Sequence, residues 1–148
     1  METETNGTSG SKTSDFRASA PVNPRQRHGT ILVVDSEQLV GDITCRMLDH
    51  MGFDTLRAVN VARATLLLES SVKDIRLVIL DIRMPQYTAR DAIETFKNRF
   101  PGVPVVVMTA YLADDVREMV RDIHGGSLLQ KPFTATQLRE AIVQTLAA

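Results

Sequence analysis

Four residues able to do polar chemistry each close a short apolar run. Ile31-Leu-Val-Val34 ends at Asp35, Leu77-Val-Ile-Leu80 at Asp81, Val105-Val-Val-Met108 at Thr109, and Leu128-Leu-Gln130 at Lys131, which Pro132 follows. Two carboxylates, a hydroxyl and an ammonium brought to one place suit phosphoryl chemistry on a carboxylate. Asp81 follows a wholly apolar run and precedes a turn closed by Met84-Pro85, a position suited to a nucleophile. Asp35 adds a second carboxylate beside it, which is costly unless a cation sits between the two. Mg²⁺ is the natural ion, because it takes hard oxygen ligands and is held by one or two carboxylates together with phosphate oxygens and water. Lys131 would then form a charge-assisted bond to the phosphate and Thr109 a hydroxyl bond to another of its oxygens.

These residues meet only if the elements before them run side by side. Short β-branched runs separated by helix-length amphipathic stretches read as parallel strands, all of whose C-terminal ends open on one edge of the sheet. The first helix is expected from about Glu37 to Met51, with Leu39, Ile43, Met47 and Leu48 on one side and Gly52 as its stop. An edge strand over Phe53 to Ala58 and a second helix over Val61 to Ser70 lead to the Asp81 strand. Ala89 to Phe100 reads as the third helix, with Ile93 and Phe96 inward, and Pro101-Gly102 ends it. The fourth runs from Ala113 to His124 and stops at Gly125-Gly126. The last opens on the capping-box pattern Thr134-Ala-Thr-Gln137 and carries Leu138, Ile142 and Leu146 at helical spacing. Right-handed crossovers make this an α/β fold, a doubly wound five-stranded parallel sheet of flavodoxin-like (βα)5 type in the order 2-1-3-4-5. In such sheets ligands bind outside the carboxyl ends of the strands, where the four polar residues would converge.

The chain has 148 residues and a formal net charge of -1, which suits one domain and gives no reason to expect nucleic-acid binding. No apolar stretch is long enough to span a bilayer, and the single cysteine, Cys45, has no partner for an internal disulfide. A reducing, cytoplasmic setting and no membrane partner are expected. Cys45 sits in the first helical pattern and reads as a small, buried or half-buried side chain. Residues 1–28 contain too few apolar side chains to offset the entropy of ordering, and they lack the apolar core of a signal peptide. The expected organisation is a disordered leader over 1–28 and one domain over 29–148.

The runs Ile31-Leu-Val-Val-Asp35, Val78-Ile-Leu-Asp-Ile-Arg-Met-Pro85, Val107-Met-Thr-Ala-Tyr111 and Gln130-Lys-Pro-Phe133 together resemble the receiver domains of bacterial response regulators. The resemblance extends from about Thr30 to Ala148, with all four motifs in order at compatible spacings. It implies a signalling switch of a two-component or phosphorelay pathway rather than a turnover enzyme. Asp81 would be the phosphoacceptor, taking its group from a phosphohistidine, with Thr109 and Lys131 assisting. Asp35, Asp81 and the backbone carbonyl of Arg83 would hold Mg²⁺, and the Lys131-Pro132 bond would be cis. The implied partners are a sensor histidine kinase or a histidine phosphotransfer protein, and a downstream protein or a second copy on the face from the fourth to the fifth helix, about Ala113 to Leu146. With no output domain after the fifth helix, a stand-alone receiver or a segment of a hybrid sensor kinase is expected.

Three departures bear on the pocket. Ser36 stands where the family has a second acid that ligates the metal directly, which should weaken Mg²⁺ binding, and Ser36 has an alternative use as the N-cap of the first helix. Glu37, one position further along the turn, is not expected to replace the missing ligand. Leu128 stands where the family has its switch aromatic, three residues before the lysine. Ala89 replaces a common glycine and would be strained at a positive φ. These favour a rival reading, a degenerate pseudo-receiver that binds protein without being phosphorylated. A haloacid dehalogenase-type phosphatase would need a second aspartate where Arg83 stands. A flavodoxin would need a hydroxyl- and glycine-rich phosphate loop after the first strand, and a P-loop is absent. His28, His50 and His124 have neither ligand nor triad spacing.

Overall fold

The computed structural model describes residues 27–71, 74–84, 86–123 and 126–147. Strands and helices alternate: β1 (Thr30–Val34), α1 (Gln38–His50), β2 (Asp54–Ala58), α2 (Val61–Ser71), β3 (Ile75–Asp81), α3 (Ala89–Arg99), β4 (Val105–Thr109), α4 (Asp114–Arg121), β5 (Ser127–Gln130) and α5 (Ala135–Ala147). All pairings are parallel and the strand order is β2-β1-β3-β4-β5. This is the doubly wound, flavodoxin-like sheet expected from the spacing of the apolar runs.

The runs are continuously apolar because both faces of the sheet are covered. Successive side chains point to opposite faces, so Leu32, Val34, Val78, Leu80, Val105 and Val107 pack with Leu68, Ile93, Phe96, Val116 and Val120 of α2, α3 and α4. Ile31, Val33, Leu77, Ile79, Val106 and Met108 pack on the other face with Leu48 of α1 and Leu138 and Ile142 of α5. Two helix starts follow directly from local sequence. The Thr88 side chain caps α3 by accepting from the Asp91 amide at 3.0 Å. At α5 the Gln137 amide donates to Thr134 Oγ1 at 3.1 Å while the Thr134 amide donates to Gln137 Oε1 at 2.9 Å, the reciprocal capping box.

The buried face of α1 is rotated from the one its apolar residues suggest. Gly41, Thr44 and Leu48 are buried, Cys45 and Met47 are partly covered, and Leu39 and Ile43 are 71% and 45% exposed. The stripe at i, i+3 and i+7 begins with small residues, and Thr44 satisfies its hydroxyl on the Val40 carbonyl at 2.9 Å. Nor is Ser36 the helix cap: Glu37 holds that position, and no side chain caps it. Ala89 begins α3, and the left-handed residue of the preceding turn is Gln86, with φ 71°. Alanine at position 89 is therefore unstrained. α4 ends at Arg121, and Pro85, His124, Gly125 and residues 1–26 of the expected leader lie outside the described residues. Arg27 is tied to the last turn of α1 by an ion pair with Asp49 at 2.8 Å, and the His28 amide donates to the Gly52 carbonyl of the α1–β2 turn at 2.8 Å.

Candidate functional site

Pairing places the expected residues at one edge. Val34 of β1 lies opposite Leu80 of β3, so Asp35 and Asp81 leave adjacent strands at the same level. Across the sheet, Asp81 is level with Met108 and Thr109 with Gln130, and the Lys131 amide donates to the Thr109 carbonyl at 2.8 Å. The Lys131-Pro132 peptide is cis, as the resemblance implied.

Each buried carboxylate is held by the same device. The Glu37 amide donates to Asp35 Oδ1 at 2.8 Å and the Arg83 amide donates to Asp81 Oδ1 at 2.9 Å, in each case from two residues further along the chain. The second oxygens converge on a single ammonium: Lys131 Nζ lies 3.1 Å from Asp35 Oδ2 and 2.9 Å from Asp81 Oδ2. Asp35 is wholly buried and Asp81 is 3% exposed, whereas a cavity of about 290 Å³ lined by Glu37, Asp81, Arg83, Ala110 and Lys131 opens the site to solvent.

Glu37 belongs to this cluster. Its Oε1 lies 3.6 Å from Lys131 Nζ, and Asp35, Glu37 and Asp81 each offer a carboxylate oxygen within 4.8 Å of the others. Spacing alone placed it too far along the turn. The bond from its own amide to Asp35 Oδ1 tightens the loop and carries the side chain back over the strand edge. The signal in the sequence was an Asp followed two residues later by an acid at a strand end, a spacing that an Asx-type turn closes.

Thr109 occupies the expected strand end but not the expected contact. Its hydroxyl donates to the Tyr111 carbonyl at 2.8 Å and accepts from the Tyr111 amide at 3.1 Å, so it is engaged by its own loop. Leu128 is half-buried in β5 and packs on the core face beneath α4. Tyr111 is exposed.

The crowding of these groups sets the electrostatics of the site. Burial, aided by the charge of Asp81, raises the pKa of Asp35 above the usual carboxylate value against the pull of the Glu37 amide and of Lys131. Burial would lower the pKa of Lys131, but the hydrogen bonds and charges of Asp81 and then Asp35 together outweigh it and raise the value. Three carboxylates against one ammonium leave two negative charges, and every donor is a hard oxygen. That set fits a small divalent cation such as Mg²⁺.

A model of the response regulator receiver domain matches residues 31–143. The chain is 23% identical over 131 residues to the autoinducer 1 sensor kinase/phosphatase LuxN of Vibrio harveyi, covering 88% of this chain and 15% of that protein. It is 30% identical over 115 residues to the response regulator protein PilR of Pseudomonas aeruginosa, covering 78% of this chain and 25% of the relative. The chain thus spans a quarter or less of the length of either relative. A receiver domain from Clostridium thermocellum superposes with a TM-score of 0.73 at 23% identity, over 80% of this chain and 94% of the other. The CheX-CheY-BeF3-Mg+2 complex from Borrelia burgdorferi superposes with a TM-score of 0.70 at 18% identity, over 81% and 95%. At these identities the structural matches establish the fold.

Proposed function

The chain belongs to the response regulator receiver domain family, and from that premise we propose that it is a phosphoryl-accepting switch with Asp81 as acceptor. Receiver domains are signalling switches of two-component pathways rather than turnover enzymes. The observation that carries the assignment is the convergence of Asp35 Oδ2 and Asp81 Oδ2 on Lys131 Nζ at 3.1 and 2.9 Å. An Asp81 oxygen attacks the phosphorus of a phosphohistidine, the P–N bond breaks, and the imidazole nitrogen leaves with the bonding pair. The product is an aspartyl phosphate. Lys131 holds a phosphoryl oxygen by a charge-assisted bond, and Thr109 reaches another once its hydroxyl leaves Tyr111. Asp35, Asp81 and the Arg83 carbonyl would hold Mg²⁺, with Glu37 beside them. The bound ion supplies neutralisation of the negative charge that gathers on the transferring group.

A sensor histidine kinase or histidine phosphotransfer protein is the proposed donor in a cytoplasmic setting, and the face from α4 to α5 the proposed site for a downstream protein or a second copy. No helix among the described residues is long and apolar enough to cross a membrane. A second reading, an unphosphorylated protein-binding module, is favoured by Ser36 in the place of an acid and by Leu128 in the place of the switch aromatic. Acetyl phosphate and Mg²⁺ followed by intact mass separates the two. The wild-type protein should gain one phosphoryl group and Asp81→Asn none. Labelling of the mutant would sink the acceptor assignment, and an unlabelled wild type would support the second reading.

A further inference from the structure

Arg57 stands on the edge strand β2, opposite Val33 of β1, and so shares the sheet face that α1 covers. Its side chain runs up beneath the first turn of α1 instead of out to solvent. Nη1 donates to the carbonyls of Asp35 at 2.7 Å and Ala58 at 3.2 Å, and Nη2 donates to the carbonyls of Glu37 and Gln38, each at 3.3 Å. Three of these four acceptors lie in residues 35–38, the segment that carries two of the three acids of the pocket. Nε is 4.0 Å from Asp42 Oδ1.

The position is not one that helix energetics would choose. A cation near a helix N-terminus opposes the macrodipole, and α1 begins without a side-chain cap. What the guanidinium supplies is a planar fork of donors able to bind several carbonyls at once, which a lysine ammonium does not reproduce. The loop is held on one side by the Glu37 amide on Asp35 Oδ1 and on the other by Arg57 on its carbonyls.

Gly41 completes the arrangement. It has no left-handed φ, so its backbone does not require glycine, and glycine inside a helix is less favourable than alanine. A Cβ built on it would lie 2.1 Å from Cζ and Nη2 of Arg57. The missing side chain is the space that the guanidinium occupies.

We propose that Arg57 is a positioning residue for the cation pocket, setting the placement of Asp35 and Glu37 through the backbone of their loop, and that Gly41 is present to admit it. This rests on reading the acidic cluster as a cation site of the phosphoacceptor pocket. Because the atoms that alanine at position 41 would meet are the free end of a flexible side chain, Gly41→Ala should displace Arg57 without disrupting the helix.

The test uses the full chain, titrated with MgCl₂ by calorimetry, with amide hydrogen exchange read over residues 36–41. Arg57→Met and Gly41→Ala should each weaken Mg²⁺ binding by about 10-fold, the effect typical of losing a group that orients a ligand, and should each speed exchange in that segment. The double variant should bind no more weakly than either single one, since both remove the same contact. In the Arg57→Ala background, Gly41→Ala should raise Tm, because every atom that the added Cβ would meet is then gone and the helix preference remains. Ile142→Val, which trims the core under α5, should lower Tm and leave Mg²⁺ affinity unchanged. Folded Arg57→Met protein with wild-type affinity, or additive losses in the double variant, would overturn the proposal while leaving the cation site intact. A wild-type protein that takes up no Mg²⁺ would overturn the cation site and this role with it.

Discussion

At the scale of single residues, the pocket is a balance between crowded carboxylates and the cations that relieve them. Among the described residues Lys131 is the cation seated between Asp35 and Asp81. Lys131→Met leaves Asp35 and Asp81 facing each other in a buried site and should cost about 3 kcal/mol of stability, the range for breaking a buried ion pair. Urea unfolding in chelator should show that loss, and Mg²⁺ should restore part of it, because a divalent ion bound to the native state adds stability by mass action. Ser36 sets a second test. Ser36→Asp adds a carboxylate beside Asp35 and Asp81, and a modest tightening of Mg²⁺ binding with faster acetyl phosphate labelling is expected. Attraction for the ion is offset by repulsion among the acids and by Glu37, which already faces the site. Equal or weaker affinity would mean that Glu37 fills the ligand position left by Ser36.

Among the elements, α1 separates what an apolar pattern implies from what packing selects. The four large apolar residues on one side suggested a face of Leu39, Ile43, Met47 and Leu48, whereas the sheet takes Gly41, Thr44 and Leu48. A helix that must leave room for Arg57 at its first turn seats small residues there and turns Leu39 outward. Leu39→Lys should therefore change stability by less than about 0.5 kcal/mol. Leu48→Ala, which empties a fully buried position, should cost roughly 2–5 kcal/mol. Chemical denaturation of both variants checks the assignment, and a large loss from Leu39→Lys would restore the face suggested by the pattern. The capping box of α5 was legible beforehand because a cap is a bond between residues three apart.

For the whole molecule, the proposed phosphorylation of Asp81 requires a route from the strand edge to a distant surface. Thr109 lies at the end of β4 with its hydroxyl shared between the Tyr111 amide and carbonyl. Turning that hydroxyl toward a phosphoryl oxygen breaks both bonds and frees the loop that leads into α4. Leu128 has no ring to rotate beside Lys131, so the response should run through this loop. Beryllofluoride with Mg²⁺ should alter hydrogen exchange from Tyr111 through α4. With the analogue demonstrably bound, unchanged exchange throughout that segment would count against a switch of this kind.

The alternation of apolar runs with helix-length segments was sufficient to determine a parallel sheet and the edge at which Asp35, Asp81, Thr109 and Lys131 emerge. Those properties follow from burial of both sheet faces and from crossover handedness, which act on every residue of a run in the same way. Only the tertiary structure decided where individual side chains point at that edge. Glu37 turns back into the cluster, Thr109 turns away to Tyr111, and Arg57 threads beneath Gly41 to the Asp35 carbonyl. Glu37 and Thr109 are turned by bonds within their own loops, whereas Arg57 and Lys131 depend on partners far apart in the chain, 22 residues for Arg57 and Asp35 and 96 for Lys131 and Asp35. No local periodicity encodes such distances, because they exist only once the sheet has brought its strand ends together.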